Sequence, residues 1–360
     1  MILAQIVVFE PYYGGSHRAF VDGLVTLPHD FEVHTLPANR WKWRMRLAAP
    51  FFAGQIRRGE IELQNAHAIV CSSLLDVATF KGMLPSAYRH LPIHVYFHEN
   101  QFAYPVQKED PRDVHFALTN LTTALSADSL AFNSAFNLES FLRGCDDLLI
   151  KNDDMGLAGY QHEIRAKSRI LPPGLDFAEI DRIAAAREPD QAHIPVIVWN
   201  HRWEYDKDPE FFFNALFGLQ AEGVPFRLIV LGESFRQSPA IFAEAKGILA
   251  DRILHFGYAP SRTEYLGWLA KADLVVSTAR HEFFGLSVIE AVRAGCCPLL
   301  PRRLAYPELF GDEFLYDDHT FSVTLRTFLE SKRLSGLRTR EMTEEFSWRH
   351  LHPRYEEWLA

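Results

Sequence analysis

The sequence predicts an α/β protein with two doubly wound domains. Short apolar runs of strand type alternate with longer amphipathic stretches, which is typical of parallel sheets joined by crossover helices. The 360 residues exceed the usual length of one domain. A Pro-Pro-Gly turn at 172–174, after a strand-like segment at 169–171, separates the first four of these runs from the last four. We therefore expect two sheets, one on each side of this turn.

The elements follow from local patterns along the chain. The strand-type runs are residues 2–9, 67–71, 93–97, 129–133, 195–199, 227–231, 253–256 and 274–277. Helical spacing of apolar residues is clearest after Pro209 and at 287–294, where Gly295 follows as a helix stop. Residues 338–360 read as an amphipathic packing helix that is interrupted by Pro353.

These patterns divide the chain into three parts. We predict an N-terminal domain at 1–175, a C-terminal domain at 190–340, and a C-terminal helix at 341–360. A hinge is expected near 172–192, because prolines and a glycine follow a strand there and precede a polar, alanine-rich helix.

Composition excludes several classes of protein. Hydrophobic residues make up 48% and charged residues 23%, close to the averages of globular chains. The 37 basic and 46 acidic residues give a net charge of -9, so a site for a polyanion must be a local patch. The four cysteines form no Cys-x-x-Cys pair, which indicates neither a zinc site nor a disulfide framework.

The same composition predicts a cytoplasmic protein. No apolar run approaches the roughly 18 residues that a membrane span requires. The first residues lack a basic segment and a cleavage site, so their apolar stretch reads as a strand and not as a signal peptide.

The strongest local motif is a pair of glutamates with seven residues between them, directly after the run 274–277. Glu282 and Glu290 bracket Gly285, which allows close approach of the backbone to a ligand. The start of the following helix offers N–H groups to an anion, and a carboxylate in its first turn can accept hydroxyls of a ribose. The motif predicts a nucleotide-sugar subsite. The alternative is a capping box, in which Glu290 bonds to the backbone of Ser287.

Two basic residues follow the run 195–199. Arg202 and Lys207 lie beyond the carboxyl end of a predicted strand, where open α/β sheets bind ligands. A guanidinium and an ammonium together can hold a diphosphate and stabilise it as a leaving group. A loop of internal salt bridges is the alternative, because three acidic residues lie among them.

The N-terminal half carries two weaker motifs. A turn with Gly14 and Gly15 follows the first run and lets the backbone approach a phosphate, although the Gly-x-Gly-x-x-Gly of dinucleotide sites is absent. The run 93–97 ends in four polar residues that include His98, Glu99 and Asn100. Such a cluster at a strand terminus favours a catalytic or substrate-contacting role, whereas a lone histidine would more often be structural.

A strongly basic stretch stands out in this acidic chain. Residues 40–58 contain six basic side chains and no Asp or Glu. Basic residues interleaved with aromatic ones are typical of surfaces that follow an RNA backbone and stack on its bases. The residues concerned are Arg40, Trp41, Lys42, Trp43, Arg44 and Arg46. The alternative is a solvated basic element whose two tryptophans cover the core.

Together these motifs resemble the retaining family 4 glycosyltransferases of GT-B architecture, over residues 2 to about 345. In the first half, EPYYGGSH, NRWKWRMR, CSSLLDVATF, YFHENQFAYP, FNSAFNLESFL and ILPPGLDF are similar to the tRNA-queuosine mannosyltransferase branch of that family. The resemblance implies two Rossmann-like domains that face each other across a cleft, with the C-terminal helix returning to the N-terminal domain.

The resemblance also implies a reaction. Mannose would move from GDP-mannose to a cyclopentene hydroxyl of queuosine in the anticodon loop of tRNA-Asp, with retained α configuration and without a bound metal. Arg202 and Lys207 would hold the diphosphate, with Gly14 and Gly15 closing over the phosphates. The resemblance further implies that Glu290 binds the ribose and that Tyr258 lies at the base. Glu282 would bind the sugar hydroxyls, and His98 would lie near the reacting face. The backbone beside Glu282 would come from Phe283, Phe284, Gly285 and Leu286.

Two other functions stay open at this point. A mannosyl- or glucosyltransferase acting on a lipid or a small metabolite would use the basic stretch to contact a membrane surface, which liposome flotation would detect. A non-catalytic protein that binds nucleotide sugars or RNA would not hydrolyse the donor.

Overall fold

The computed structural model describes residues 4–104, 114–150, 159–186, 194–234, 238–330 and 338–360. The chain forms two compact units, one comprising Met1–Leu175 with Trp348–Ala360 and the other Asp176–Ser347. Two segments differ from the predicted division of the chain. The segment 176–189, predicted to form a hinge or to lie between the domains, and residues 341–347 of the predicted C-terminal helix belong to the second unit.

The first unit is built on a parallel six-stranded sheet in the order β2-β1-β3-β4-β5-β6. Its strands are β1 (Gln5–Tyr13), β2 (Asp30–Pro37), β3 (Ala66–Ser72), β4 (Ile93–Phe97), β5 (Ser129–Phe132) and β6 (Ser168–Ile170). Its helices are α1 (Gly15–Leu24), α2 (Trp41–Arg57), α3 (Val77–Met83), α4 (Val114–Ser126), α5 (Ala135–Ile150) and α6 (Tyr160–Ala166).

Alternate residues of β1 pack into two separate cores, one on each face of the sheet. Val7 and Phe9 belong to a core that includes residues of α2, α3 and α5, whereas Ile6 and Val8 join residues of α1. A central strand that is buried on both faces is apolar at every position, and for this reason the run 2–9 shows no alternation of polar residues.

The C-terminal helix of the chain, residues Trp348–Leu359, packs on the second of these cores. The Tyr355 hydroxyl donates a hydrogen bond to the carbonyl of Pro172 at 2.9 Å. The predicted interruption at Pro353 is wrong, because the helix continues through this proline and the break lies at Ser347, which is extended. Proline removes one backbone hydrogen bond, and burial of Trp348, Tyr355 and Trp358 outweighs that loss.

The second unit repeats the plan with a parallel sheet in the order β12-β11-β10-β7-β8-β9. Its strands are β7 (Val196–Asn200), β8 (Arg227–Leu231), β9 (Ile253–Gly257), β10 (Leu274–Val276), β11 (Cys297–Pro301) and β12 (Leu315–Tyr316). Its helices are α7 (Ala178–Ala184), α8 (Pro209–Ala221), α9 (Ile241–Ile248), α10 (Arg262–Leu269), α11 (Leu286–Arg293), α12 (Tyr306–Leu309), α13 (Phe321–Glu330) and α14 (Thr339–Thr343); the C-terminal helix of the first unit is α15.

Strand order locates the ligand-binding edge of each sheet. The order reverses between β1 and β3 in the first unit and between β7 and β10 in the second. Open parallel sheets bind ligands outside the carboxyl ends of the strands at such switch points. The loops that follow β1, β7 and β10 are those that carry the motifs at 14–15, 202–207 and 282–290.

All four cysteines lie in the described part of the chain, where they are buried and form no disulfide. Among the described residues, no helix combines the length and the apolar character that crossing a lipid bilayer demands.

Candidate active site

Four ionisable side chains meet at the carboxyl end of the first sheet. β4 ends directly before His98, and α1 brings His17 against it, with ring centroids 4.0 Å apart. His17 Nδ1 lies 3.1 Å from Glu10 Oε1, and its Nε2 lies 3.6 Å from Glu99 Oε2. The histidines and Glu10 are buried, so this cluster is a charged group inside the protein.

The two histidines differ in charge. Burial opposes protonation of His17, but Glu10 and Glu99 outweigh it and raise the pKa of His17 to about 10. Burial, and then the charge of His17, hold the pKa of His98 well below its usual value. His98 is therefore neutral, and its buried Nε2 has no hydrogen-bond partner among the described residues. A neutral imidazole nitrogen of this kind can bond to a ligand hydroxyl.

The same cluster contains the donor atoms of a metal site. Ligand atoms of Glu10, His17 and His98 lie within 4.8 Å of one another. A metal ion at this position would have to displace the proton of His17, because an imidazolium has no lone pair for coordination. Charge and geometry together favour a carboxylate–imidazolium pair beside a neutral histidine.

Asn100 shapes the loop after β4. Its side-chain amide donates to Asn137 Oδ1 at 2.8 Å and to Ser140 Oγ at 3.0 Å, and its carbonyl oxygen accepts from the backbone N–H groups of Phe102 and Ala103. The residue is fully buried. Of the predicted acceptor residues in this loop, only Glu99 is partly accessible, whereas Asn100 holds the loop in place.

The glycine turn after β1 begins α1. Gly14 is the N-cap of this helix. A Cβ atom at Gly14 would lie 2.4 Å from the Cβ of Ala38, so close approach of two backbone segments requires glycine there. Gly15, the first helical residue, is exposed.

The basic stretch forms most of α2, and its side chains divide between two faces. Trp41 packs against Phe116 at a ring distance of 5.2 Å, within a cluster that includes buried Met45. Lys42 Nζ and the Arg46 guanidinium lie 5.6 Å and 5.2 Å from the Phe116 ring. Trp43, in contrast, is 64% exposed. One tryptophan therefore packs against the core and the other is accessible.

In the second unit, Lys207 is buried among oxygen atoms. Its Nζ donates to the carbonyl of His281 at 2.6 Å and pairs with Asp206 Oδ2 at 3.1 Å and Glu282 Oε2 at 3.4 Å. Burial would raise the pKa of Glu282, but the charges of Lys207 and neighbouring histidines lower it below its usual value. Lys207 and Glu282 therefore form an ionised pair that joins the loops after β7 and β10.

Arg202 is half-exposed and pairs with Glu204 at 3.1 Å. Arg280 also pairs with Asp208 at 2.7 Å, so the predicted loop of salt bridges exists. It does not compete with a ligand role for Arg202, because an exposed ion pair contributes little to stability and its partners can separate at low cost.

Helix α11 begins at the candidate sugar loop. Its N-cap is Gly285, with φ of 107°, where a Cβ atom would also lie 3.1 Å from the Tyr306 ring. The side chains of Phe283 and Phe284 are buried, and Leu286 is half-buried. The polar groups that these residues can offer to a ligand are therefore those of the backbone. A helix start with this geometry can receive an anion.

Glu290 is not part of a capping box. Its Oε2 accepts a hydrogen bond from the Tyr265 hydroxyl at 3.1 Å, and its Oε1 lies 2.6 Å from Arg262 Nη2. The capping alternative is therefore wrong, since the helix starts at Gly285 and Glu290 bonds to α10.

Sequence reasoning missed several members of these clusters. Asn200 ends β7 and donates to the carbonyl of Ser287 at 2.7 Å, which ties the switch-point strand to α11. Burial, followed by the charge of Lys207, lowers the pKa of the adjacent His201 to about 4. Both residues directly precede the motif at 202–207, and their position at the end of a predicted strand was the signal that could have identified them. No sequence signal pointed to Tyr265 and Arg262, because α10 carries no motif. Tyr258, after β9, is exposed.

Comparisons with known proteins agree with this geometry. Residues 5–175 match the family model "tRNA-queuosine alpha-mannosyltransferase N-terminal", and residues 185–335 match "Glycosyl transferases group 1". Similar solved structures include HepE of Anabaena in complex with UDP, with a TM-score of 0.71 and 13% identity over 99% of both chains. The sucrose-phosphate synthase of Thermosynechococcus elongatus aligns with a TM-score of 0.69 and 15% identity over 99% of this chain and 98% of that one.

These structures confirm the predicted fold of two Rossmann-like domains. A curated relative, the tRNA-queuosine alpha-mannosyltransferase of Drosophila melanogaster, is 34% identical over 98% of this chain and 95% of its own. The resemblance seen in the sequence motifs is confirmed by this match, which spans both units. The chain thus belongs to the tRNA-queuosine alpha-mannosyltransferase family of glycosyltransferases.

Proposed function

We propose that this protein transfers mannose from GDP-mannose to a cyclopentene hydroxyl of queuosine in tRNA-Asp, with retained α configuration. The observation that carries the proposal is the 34% identity to a relative of that name over nearly the whole length of both chains. The identity extends through the N-terminal unit, whose residues 5–175 match a family model of the same name.

The second unit supplies groups suited to a nucleotide-sugar donor. Arg202 and Lys207 would hold the diphosphate, with the start of α11 offering N–H groups beside them. Glu282, ionised against Lys207, would accept hydrogen bonds from sugar hydroxyls. The remaining assignments are Glu290 to the ribose hydroxyls, Tyr258 to the base, and Gly14 and Gly15 of the first unit to phosphate oxygens.

The reaction would proceed by displacement on one face of the sugar. The bond between the anomeric carbon and the diphosphate oxygen breaks, and the queuosine oxygen forms a bond to the same face of that carbon. The proton of the attacking hydroxyl passes to the leaving phosphate. No enzyme carboxylate acts as a nucleophile in this scheme, and the cations at 202 and 207 stabilise the negative charge that develops on the diphosphate.

The neutral ring of His98 suits a position near the reacting face. A charged imidazolium there would oppose the positive charge that develops at the anomeric carbon, whereas a neutral ring nitrogen can bond to a sugar hydroxyl. His17 carries the positive charge of the pair and is itself neutralised by Glu10 and Glu99. We propose that the reaction needs no bound metal ion.

Folded tRNA would bind through the basic side chains at the start of α2. Arg40, Lys42, Arg44 and Arg46 lie in a stretch without acidic residues, within a chain of net charge -9. A local basic surface of this kind supplies phosphate contacts and steers a polyanion to the protein. A cytoplasmic location agrees with this substrate and with four buried cysteines that form no disulfide.

Incubation of the purified protein with queuosine-containing tRNA and a panel of sugar nucleotides, followed by nucleoside mass spectrometry, tests the proposal. We expect a hexose on queuosine with GDP-mannose and not with UDP-glucose or UDP-galactose. Queuosine-free tRNA is the matched control. Transfer to a lipid or a small metabolite in place of tRNA, or no turnover of any donor, would contradict the proposal.

A further inference from the structure

A groove of about 360 Å³ lies on one face of α2. It is lined by Asn39, Arg40, Trp43, Arg44 and Leu47. Positions 40, 43, 44 and 47 recur at helical spacing and therefore share one side of the helix, whereas Trp41 and Met45 are on the side that packs on the core. The volume is that of a small-ligand site.

The floor of this groove is apolar and accessible. Trp43 is 64% exposed and Leu47 is 52% exposed, whereas Phe51, which is 46% exposed one turn further along the helix, is not among the residues that line the groove. An exposed tryptophan leaves a large apolar area in water, and a contiguous apolar stripe on a surface marks a binding site. The large flat ring at its centre is the side chain on which nucleobases stack best.

The walls of the groove are cationic. Among the described residues, neither Arg40 nor Arg44 takes part in an ion pair. Arg44 Nη2 donates to Asn39 Oδ1 at 3.2 Å, but its Nε is buried and has no acceptor in that part of the chain. Guanidinium N–H groups that are not engaged in an ion pair can bind an oxyanion such as a phosphate.

We propose that this groove binds one unpaired nucleobase of the acceptor RNA, stacked on Trp43, with Arg40 and Arg44 holding the neighbouring phosphates. The inference rests on the proposed function for its choice of RNA as the ligand. An aromatic floor between two cations matches the alternation of base and phosphate in a single strand. A protein partner or a second copy of this chain would have to place acidic groups against the arginines and an apolar side chain on Trp43, and the test below distinguishes these occupants from RNA.

Binding of two RNAs to the full-length protein tests the groove. One is queuosine-containing tRNA, and the other is a fully paired RNA duplex without unpaired bases. Trp43→Ala should weaken tRNA binding by about 5- to 150-fold and leave duplex binding unchanged, because loss of one stacked base affects only the RNA that offers one. Trp43→Phe should retain most of the affinity. Arg40→Ala and Arg44→Ala should weaken the binding of both RNAs.

Phe51→Ala is the matched control, since it removes an exposed aromatic side chain of the same helix outside the groove. It should bind both RNAs like the wild type. Unchanged tRNA affinity in a folded Trp43→Ala protein would overturn the proposal, as would equal losses for tRNA and duplex. A dimer that dissociates in Trp43→Ala, without a change in tRNA binding, would assign the groove to a second copy.

Parallel transfer assays keep this proposal separate from the proposed function. A wild-type protein that binds tRNA and loses affinity in Trp43→Ala, but transfers no mannose, would support the groove and contradict the proposed reaction. A protein that transfers mannose to queuosine, but whose tRNA affinity is unchanged in Trp43→Ala, would support the proposed reaction and contradict the groove.

Discussion

The hydroxyl of Tyr265 donates a hydrogen bond to Glu290 at 3.1 Å, across the gap between α10 and α11. Asn200 joins the same group, because its amide lies 3.2 Å from that hydroxyl. Glu290 is therefore held by contacts to α10 at the switch point of the second sheet, and not at the helix terminus as a cap.

Glu290→Gln should weaken the binding of GDP and leave the melting temperature close to that of the wild type. The substitution removes a charged acceptor for ribose hydroxyls, while the lost ion pair with half-exposed Arg262 contributes at most about 1 kcal/mol. Calorimetric titration beside thermal melts measures both. Ser287→Ala is the control and should change neither. Intact GDP affinity with a lowered melting temperature would restrict Glu290 to a structural role.

Arg202→Ala and Lys207→Ala should each lower the rate of mannosyl transfer by roughly 10² to 10³, because each removes a cation from the diphosphate. Their stabilities should differ. Lys207→Ala leaves Asp206 and Glu282 facing each other without a counter-charge and should lower the melting temperature, whereas the ion pair of Arg202 with Glu204 lies at the surface. Near-wild-type transfer rates in both variants would overturn the diphosphate assignment.

His17→Gln should change how stability depends on pH above neutrality. Because the folded pKa of His17 is raised to about 10, its protonated form stabilises the fold fully below the unfolded pKa near 6.5 and loses this effect as the pH rises toward 10. Urea titrations from pH 6.5 to 10 should therefore show a falling unfolding free energy in the wild type and a flatter profile in the variant.

His94→Gln is the control for this measurement. Burial lowers the pKa of His94, so the folded state favours its neutral form. The stability that this preference contributes is present above pH 6.5 and is lost as the pH falls. The pH dependence of its unfolding free energy should differ from that of the wild type only in the acidic range. Identical profiles of His17→Gln and wild type between pH 6.5 and 10 would show that His17 is not held protonated.

The fold was predictable where strands are buried on both faces. The apolar runs of β1, β4 and β7 stand out in the sequence for this reason. β2 was missed because it is a half-exposed edge strand with charged and polar residues, and β11 because Pro298 and Pro301 argue against a strand. Strand β11 nevertheless forms, and it lies buried between β10 and β12.

The site was predictable only in part. Motifs that lie at strand ends, such as Lys207 and Glu282, could be identified because parallel strands bring their carboxyl ends to one edge. The partners supplied by helices could not. Tyr265 projects from α10 and His17 from α1, and no local pattern indicates that these side chains reach Glu290 and Glu99.

Trp41→Ala should destabilise the first unit by on the order of 2 kcal/mol, whereas Trp43→Ala should change its stability by less than about 0.5 kcal/mol. Trp41 packs against Phe116 in a partly buried cluster, and Trp43 projects into solvent. Thermal melts of both variants measure the difference. Equal destabilisation would contradict the division of the two tryptophans between core and surface.

Joint neutralisation of Arg40, Lys42, Arg44 and Arg46 to glutamine should flatten the salt dependence of tRNA binding. Binding of a cationic side chain to a phosphate releases counterions, so removing each such side chain should reduce the slope of log affinity against log salt by roughly 0.7 to 0.9. The four residues carry most of the positive charge of a stretch that has no acidic side chain. We therefore expect a slope lower by about 3 and a raised KM for tRNA.

GDP-mannose binding should not change in this variant, because none of the four residues is assigned to the donor, and the cations assigned to its diphosphate, Arg202 and Lys207, lie in the second unit. Arg46 donates to Thr119 at 3.4 Å and Lys42 lies over Phe116, so a melting curve must first establish that the variant folds. Arg57→Gln, a single neutralisation at the far end of α2, is the control for a general loss of charge and should lower the slope by less than about 0.7. A folded quadruple variant with the wild-type slope and affinity would place the tRNA-binding cations on another surface of the protein, since no remaining side chain of α2 near Trp43 could then bind the phosphates.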